Sequence, residues 1–474
     1  MPLPVISVAQ MREWEERTWA ADVSVEAVMH RAGEAVALKI QARASTTDPI
    51  LFLVGKGNNG GDTRIAAEKL KGWDSDWETE VLEVNDGTEE LPDLSNTALV
   101  VDGLFGIGLN RDLSDEWRGF VTRLNNATQA LRIPVLSVDV PSGLDADSGL
   151  PRGAAVQADC TLTFGAPKDG LVADCAAEFV GHLEVADDIG LVEAPPLEGL
   201  RWVEESGFQN FIPKRTANAH KGIFGHVGII AGSTGYHGAA ILAARAAECS
   251  GVGLVSVFTP AYAPVAAQLQ SAMVHPWDEH VVHTLSACTA IVIGPGLAGP
   301  DVPESLQRVV INLWRESENP IVVDASALEW IGNEPTPDEA VRVVTPHPGE
   351  AARLLDCTPG KVQANRQLAL RALSATCGGA LTILKGRHTL VGYAKGPIQI
   401  NSTGTPRLAQ GGSGDVLAGY LGGWLARKDL QQAPHDIAAL GVWRHGAAAD
   451  HLSIYDDHWG MDDFIAALGR VFDC

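Results

Sequence analysis

Five apolar residues, Ile50-Leu51-Phe52-Leu53-Val54, run directly into Gly55-Lys56-Gly57-Asn58-Asn59-Gly60-Gly61-Asp62, and a segment of helical spacing, roughly residues 63–71, follows. A short unbroken apolar run reads as a strand buried on both faces, and strand, glycine loop, helix is the repeating unit of a parallel sheet covered by helices. The unit recurs. Residues 98–102 end in Gly103-Leu104-Phe105-Gly106-Ile107-Gly108, and residues 135–139 end in Val140-Pro141-Ser142-Gly143. Each of these two strands delivers a carboxylate, Asp102 or Asp139, to the point where its loop begins. Three oxygen-bearing loops at the carboxyl edge of one sheet mark a small-molecule site. The paired asparagines let the first loop coordinate a cation and hydrogen-bond a ligand together.

Residues 5–43 carry helical spacing, with Val28, Met29, Ala32, Val36 and Ala37 available for an apolar face, and predict two helices. Strands at about 159–164 and 182–186 complete this half. Residues 191–199, with Ala194-Pro195-Pro196, read as a linker, so the boundary is expected near 195–212. A length of 474 residues is itself long for a single core.

The second half alternates apolar runs at 226–231, 253–258, 290–293, 320–323, 341–344 and 381–384 with helical segments such as 238–249 and 348–355. This is a second α/β layer structure. Its loops again hold the polar groups: Gly232-Ser233, Gly294-Pro295-Gly296, Asp324-Ala325-Ser326, Pro346-His347-Pro348-Gly349-Glu350 and Lys385-Gly386-Arg387-His388-Thr389. The last of them is Gly411-Gly412-Ser413-Gly414-Asp415, followed by the apolar Val416-Leu417-Ala418-Gly419. Three glycines in four residues before a buried helix bare the backbone amides, and the positive end of the helix dipole suits a phosphate. Asp415 then stands where it can take a proton from a hydroxyl attacking that phosphate, or serve as an ordinary helix cap. Lys385 and Arg387 read either as phosphate-neutralising cations or as solvated ones. His347, stiffened between two prolines, suits either a substrate contact or a structural role. Glu350 suits a cap or, through water, a magnesium ion.

The net charge is −24, from 35 basic and 59 acidic residues, which repels a phosphate backbone at long range and excludes nucleic acid as a partner. The seven cysteines form no C-x-x-C pair and read as reduced thiols. The N-terminus shows no signal-peptide pattern, and no run of about eighteen apolar residues occurs, so a cytoplasmic chain without a membrane partner is expected. No H-E-x-x-H, Walker lysine loop or matched G-x-S-x-G is present. His451, Asp456, Asp457 and His458 match no metal-ligand spacing and read as solvated surface.

Taken together, the loops resemble those of the bifunctional NAD(P)H-hydrate repair enzymes. In the first half the resemblance rests on 57–62, on Asp102 with 106–112, and on 139–145. In the second it rests on 232–238, 294–296, 345–350, Lys385-Gly386 and 401–419. It implies a Rossmann-like NAD(P)HX epimerase domain over 1–200 and a ribokinase-like, ADP-dependent (S)-NAD(P)HX dehydratase domain over 201–474. By the same resemblance, Asn58, Asn59, Gly60, Gly61, Asp62, then Gly106, Ile107, Gly108, Leu109, Asn110, Arg111, Asp112, and Asp139 bind the hydrated nucleotide NADHX or NADPHX. Asn59, Asp102 and Ser142 hold a potassium ion. In the dehydratase, Ala239, Gly296, His347 and Asp415 face the substrate, while Lys385, Gly386, Arg387, His388, Thr389 and Gly414 hold the adenine nucleotide.

The donor in microbial relatives is usually ADP, and in animal and fungal ones ATP, with magnesium bridging its phosphates. Asp415 is expected as the base of the dehydratase and Asp139 as the proton-transfer group of the epimerase, with Lys168 an alternative. A homo-oligomer is also expected. The chain departs from the family at Thr63-Arg64, where glycine usually follows the Asn-Asn-Gly-Gly-Asp run and a bulkier residue is expected to narrow the site. It departs again at Ser326, where a second aspartate is more frequent. The rival reading is a ribokinase-type small-molecule kinase joined to a non-catalytic nucleotide-binding module.

Overall fold

The computed structural model describes residues 2–45, 47–211, 217, 219–278, 280–337, 339–455 and 458–470. Asp456, Asp457 and Cys474 lie outside the described residues. The chain divides into two compact units, essentially Leu3–Glu198 and Gly199–Cys474. Both are α/β, as the alternation of apolar runs and glycine loops predicts.

In the N-terminal unit a six-stranded sheet runs in the order Thr79–Glu83, Ile50–Val54, Leu99–Gly103, Val135–Val138, Cys160–Phe164, His182–Ala186. Every pairing is parallel. The Ile50–Val54, Leu99–Gly103 and Val135–Val138 strands are buried throughout, which is why their sequences are apolar apart from the site residues Asp102 and Ser137. Thr79–Glu83 was not legible in the sequence. It is an edge strand with no buried residue, Glu80, Val81 and Glu83 being exposed, and its two glutamates break the apolar signal. Helices Val25–Gln41 and Asn58–Trp73 close one face, and Asp115–Leu131 the other. Ser7, Ser24 and Ser114 cap the three N-terminal helices that begin after them.

The helix after the first strand begins at Asn58, not near 63. Glycine and asparagine are poor helix formers, but contacts with the next loop override propensity. Asn59 Nδ2 donates to Phe105 O at 2.9 Å, and Thr63 Oγ1 donates to Asn59 O at 2.7 Å.

In the C-terminal unit the strand order is Leu200–Val203, Ile398–Asn401, Leu390–Gly392, Leu381–Leu384, Arg342–Val344, Ile321–Val323, Ala290–Ile293, His226–Ile230, Leu254–Thr259, Met273–Pro276. Leu390–Gly392 runs antiparallel to both its neighbours, and the other pairings among these strands are parallel. The sequence did not announce Leu200–Val203, which falls where a boundary was expected, nor the hairpin 390–401. Their pairing is with residues almost 200 positions away or across a polar turn, which periodicity does not register.

The parallel strands bring residues 231, 294, 324, 345 and 385 to one edge of the sheet. Over this edge starts the helix Ser413–Leu425, buried from Val416 onward. A β-carbon on its Gly419 would lie 2.0 Å from Ala243 O, so only glycine permits this helix to press against His237–Cys249.

Candidate functional site

The N-terminal unit gathers its polar groups around Asp102 and Asp139. Register places Asp102 between Leu53 and Ser137 on neighbouring strands. Its carboxylate is fully buried and accepts Ser137 Oγ at 2.8 Å, Ser142 N at 2.8 Å, Ser142 Oγ at 2.6 Å and Leu104 N at 3.4 Å. Burial pushes this carboxyl up from its ordinary value, and the Ser142 and Ser137 hydrogen bonds oppose the shift. These donors are all neutral groups.

Phe105 links the other two predicted potassium ligands. Its N–H donates to Ser142 Oγ at 2.9 Å and its carbonyl accepts Asn59 Nδ2. Asn59 Oδ1 is buried with no hydrogen-bond partner. An orphaned amide oxygen, a hydroxyl and a buried carboxylate are hard oxygen donors, and they fit a potassium ion.

Asp139 follows its strand in the left-handed region, φ 62°. Its Oδ1 receives Lys168 Nζ at 2.8 Å, and the same ammonium donates to Thr163 Oγ1 at 2.8 Å and Phe164 O at 2.9 Å, filling all three of its protons inside the core. A β-carbon on Gly106 would stand 3.2 Å from Asp139 Oδ2 and 3.3 Å from Asn59 Cβ, so the second and third loops meet the asparagine loop here.

Asp62 completes the cluster. Its Oδ1 is buried without a partner, and burial, then the Asp139 and Glu15 carboxylates, push its carboxyl up to about 8. Glu15, on helix Val8–Ala20, is raised by burial and by Asp139. Sequence reasoning missed it, because one glutamate among several on a charged helix carries no signal.

Thr63 and Arg64 turn elsewhere. Thr63 packs over the bare α-carbon of Gly103, and Arg64 forks onto Glu83 at 2.7 and 2.9 Å. Gly60 rests on Gly55, and Asn58 is exposed. Of the remaining predicted ligands, Gly108, Asn110, Arg111 and Asp112 are exposed, Ile107 and Leu109 half-buried, and the segment folds back only by Leu109 N to Gly106 O at 3.3 Å.

In the C-terminal unit Gly412, φ 102°, turns the chain into helix Ser413–Leu425 and leaves Asp415 in its first turn. A β-carbon on Gly414 would lie 3.4 Å from Lys385 Nζ and 3.7 Å from Asp324 Oδ2. Lys385 Nζ bonds Asp324 Oδ1 at 2.8 Å and lies 3.8 Å from Glu350 Oε2. Thr345 Oγ1 donates to Asp324 Oδ1 at 2.7 Å. Burial opposes charge on Lys385, but Asp324, Glu350 and Asp415 hold its ammonium above the ordinary value. Burial, then Asp324, push Asp415 up to about 7, with Glu350 adding and Lys385 opposing.

His347 caps helix Pro348–Leu354: its Nδ1 accepts Gly349 N at 3.0 Å, while Glu350 Oε2 accepts His347 N at 2.8 Å. The ring proton is therefore on Nε2, 3.5 Å from Glu350 Oε1. Glu350 thus caps the helix and also faces Lys385. Three carboxylates around one ammonium leave excess negative charge, which suits a divalent cation shared with phosphates. Among the described residues no group of three or more His, Cys, Asp or Glu forms a metal cage of its own.

Gly296 and Ala239 also meet, since a β-carbon on Gly296 would stand 2.8 Å from Ala239 Cβ, and Ser233 Oγ donates to Gly296 O at 2.6 Å. They join the Lys385 group through Gly294, whose α-carbon lies against Asp324 O.

Two supports had no sequence signal. Arg366 is buried at the start of helix Arg366–Thr376 and donates to the carbonyls of Leu384 at 3.1 Å, Lys385 at 3.4 Å, His388 at 3.5 Å and also Arg387. It shapes the whole 384–388 turn. Within that turn Thr389 Oγ1 donates to Gly386 O at 3.0 Å, and His388, φ 49°, bonds Asn401 O through Nδ1 at 3.2 Å. His445, buried on helix Pro434–Tyr455, donates from Nε2 to Ser413 O at 3.0 Å, and burial pushes its pKa down to about 4, so it holds the helix start as a neutral ring.

The sequence model of the family described as NAD(P)H-hydrate dehydratase matches residues 227–462, and that of the YjeF-related protein N-terminus matches residues 25–82 and 74–170. The bifunctional NAD(P)H-hydrate repair enzyme Nnr of Coxiella burnetii is 36% identical over 93% of this chain and 93% of its own length. The enzyme of the same name from Gloeobacter violaceus is 33% identical over 98% and 97%. A hypothetical protein from Streptococcus mutans has a solved structure that matches with a TM-score of 0.51 at 27% identity, covering 57% of this chain and 98% of that one. On this similarity along nearly its whole length, the chain belongs to the family of bifunctional NAD(P)H-hydrate repair enzymes.

Proposed function

We propose that residues 1–200 interconvert the R and S forms of NADHX and NADPHX, and that residues 201–474 dehydrate the S form to NAD(P)H at the expense of ADP. The observation that carries the second activity is Asp415, set in the first turn of a buried helix beside the Lys385, Asp324 and Glu350 group.

Hydroxide is a poor leaving group, because water has a pKa of about 15.7. Phosphate, with a second pKa of about 6, is a good one. Asp415 takes the proton of the hydroxyl on the sixth ring carbon as that oxygen attacks the terminal phosphoryl group, and AMP departs. Lys385 and the amides at 412–414 neutralise the transferred charge. The ring nitrogen's lone pair then expels inorganic phosphate, and loss of a proton from the neighbouring carbon restores the double bond. Asp324 and Glu350 are the groups that would hold magnesium, which would screen the charge of the donor phosphates. Ala239, Gly296 and His347 face the substrate, and Lys385 to Thr389 with Gly414 face the nucleotide.

In the epimerase, Asp139 and Lys168 move the proton. Asn59, Asp102 and Ser142 hold potassium, and 58–62 with 106–112 hold the nucleotide. The chain is proposed to work in the cytoplasm as a homo-oligomer. The free thiols of Cys160, Cys288 and Cys377 in the cores accord with a reducing compartment, and sedimentation tests the oligomer.

One assay tests the whole reading. Purified protein receives mixed R and S hydrates with ADP or ATP, and absorbance is followed at about 340 nm, the reduced nicotinamide band. Complete recovery of NAD(P)H is expected. A halt near half conversion removes the epimerase, and a stable phosphorylated product replaces the dehydratase with a kinase.

A further inference from the structure

A cleft of about 480 Å³ opens beside the C-terminal site, lined by Leu297, Gly299, Ser326, Glu329, Trp330 and Arg353. Its volume is within the range of small-molecule sites, about 300–1,000 Å³. Position in the sheet identifies what it serves. Its walls follow the strands Ala290–Ile293, Ile321–Val323 and Arg342–Val344, whereas the Lys385 turn follows Leu381–Leu384, further along the sheet. Leu297 adjoins Gly296, and Glu350, which the helix cap ties to His347, lines the cleft as well. The cleft is therefore continuous with the substrate-facing residues, and its walls follow strands one to three places along the sheet from the strand before the proposed nucleotide turn.

We propose that this cleft receives the adenosine half of the hydrated dinucleotide and selects NADHX over NADPHX. The inference rests on the dehydratase reading. Trp330 is half-buried and supplies an aromatic wall for a purine. Ser326 is half-exposed and neutral, able to bond a ribose hydroxyl. Glu329 binds Arg353, Nε to Oε1 at 2.5 Å, and its carboxylate stays about half exposed at the cleft. A carboxylate at such a place accepts a hydrogen bond from a 2′-hydroxyl and repels a 2′-phosphate, which carries about −1.5 to −2 charges.

The test measures KM and kcat of the full-length protein with S-NADHX and S-NADPHX, together with calorimetric binding of NADH and NADPH. KM for NADPHX is expected about tenfold or more above that for NADHX. Glu329→Gln, at a half-exposed ion pair that folding tolerates, narrows the ratio by lowering KM for NADPHX. Trp330→Leu raises KM for both at little changed kcat. Equal KM values in the unaltered protein, a preference for NADPHX through Arg353, or a ratio untouched by Glu329→Gln overturns the proposal. If neither hydrate is turned over with ADP or ATP, the dehydratase reading fails. The calorimetry then decides the cleft alone: tighter NADH binding that Trp330→Leu weakens supports it, and binding indifferent to both variants overturns it.

Discussion

Lys385 Nζ stands 2.8 Å from Asp324 Oδ1, and the start of helix Ser413–Leu425 lies directly over this pair. A single ammonium thus faces Asp324, Glu350 and Asp415. Lys385→Met removes it and leaves three carboxylates with a buried, uncompensated charge. Stability is expected to fall by about 3–5 kcal/mol, as when one partner of a buried pair is removed. Denaturant titration measures this, and nucleotide affinity should fall with it.

Asp415→Asn keeps the shape of the helix start and deletes the proposed base. Dehydration is expected to fall by about 10²–10⁴-fold, the usual worth of general base catalysis, with nucleotide binding retained. Near-normal turnover of the S hydrate by this variant would remove Asp415 as the base.

The pH profile follows from the same group. Asp415, raised to about 7, must be ionised to accept a proton. Below that pH the dehydratase rate should fall tenfold per unit, and above it the rate should level off. The Asn variant's residual rate should lack this limb.

Asp62 makes a stability prediction of the opposite sign to the usual carboxylate. Its folded pKa is raised to about 8, while in the unfolded chain it titrates near the ordinary value of about 3.9. Between these values the folded state holds a proton that the unfolded state has lost, so stability declines as pH rises from about 4 to about 8. Asp62→Asn should therefore raise the thermal midpoint more at pH 8 than at pH 5, in scans of both proteins. An equal gain at both pH values contradicts the assignment.

Arg366→Lys replaces a planar fork by a point charge and cannot serve four carbonyls at once. The 384–388 turn should loosen. The expected result is a KM for ADP or ATP raised about 5–10-fold, with a smaller change in kcat, since the four carbonyls that Arg366 holds belong to the turn and not to the helix that carries Asp415.

Much of the molecule was legible in the chain because its physics is local. Buried parallel strands are continuously apolar, as Ile50–Val54 and Ala290–Ile293 are. Asp102, Asp139 and Asp324 announce themselves by standing where such runs end. Edge strands such as Thr79–Glu83 escaped because both their faces reach solvent, and the helix start at Asn58 escaped because its hydrogen bonds come from a loop some 45 residues on.

The sequence by itself determined the two α/β halves, the glycine loops at their ligand edges, and the acidic residues those loops carry, since each depends on neighbours within a few positions. Only the tertiary structure decided which groups meet. Lys168 against Asp139, Arg366 under the Lys385 turn and His445 under Ser413 are separated by 29, by about 20 and by 32 residues. The raised carboxyls of Asp62 and Asp415 likewise arise from burial and from charges brought in on other strands and helices, and no local pattern encodes that.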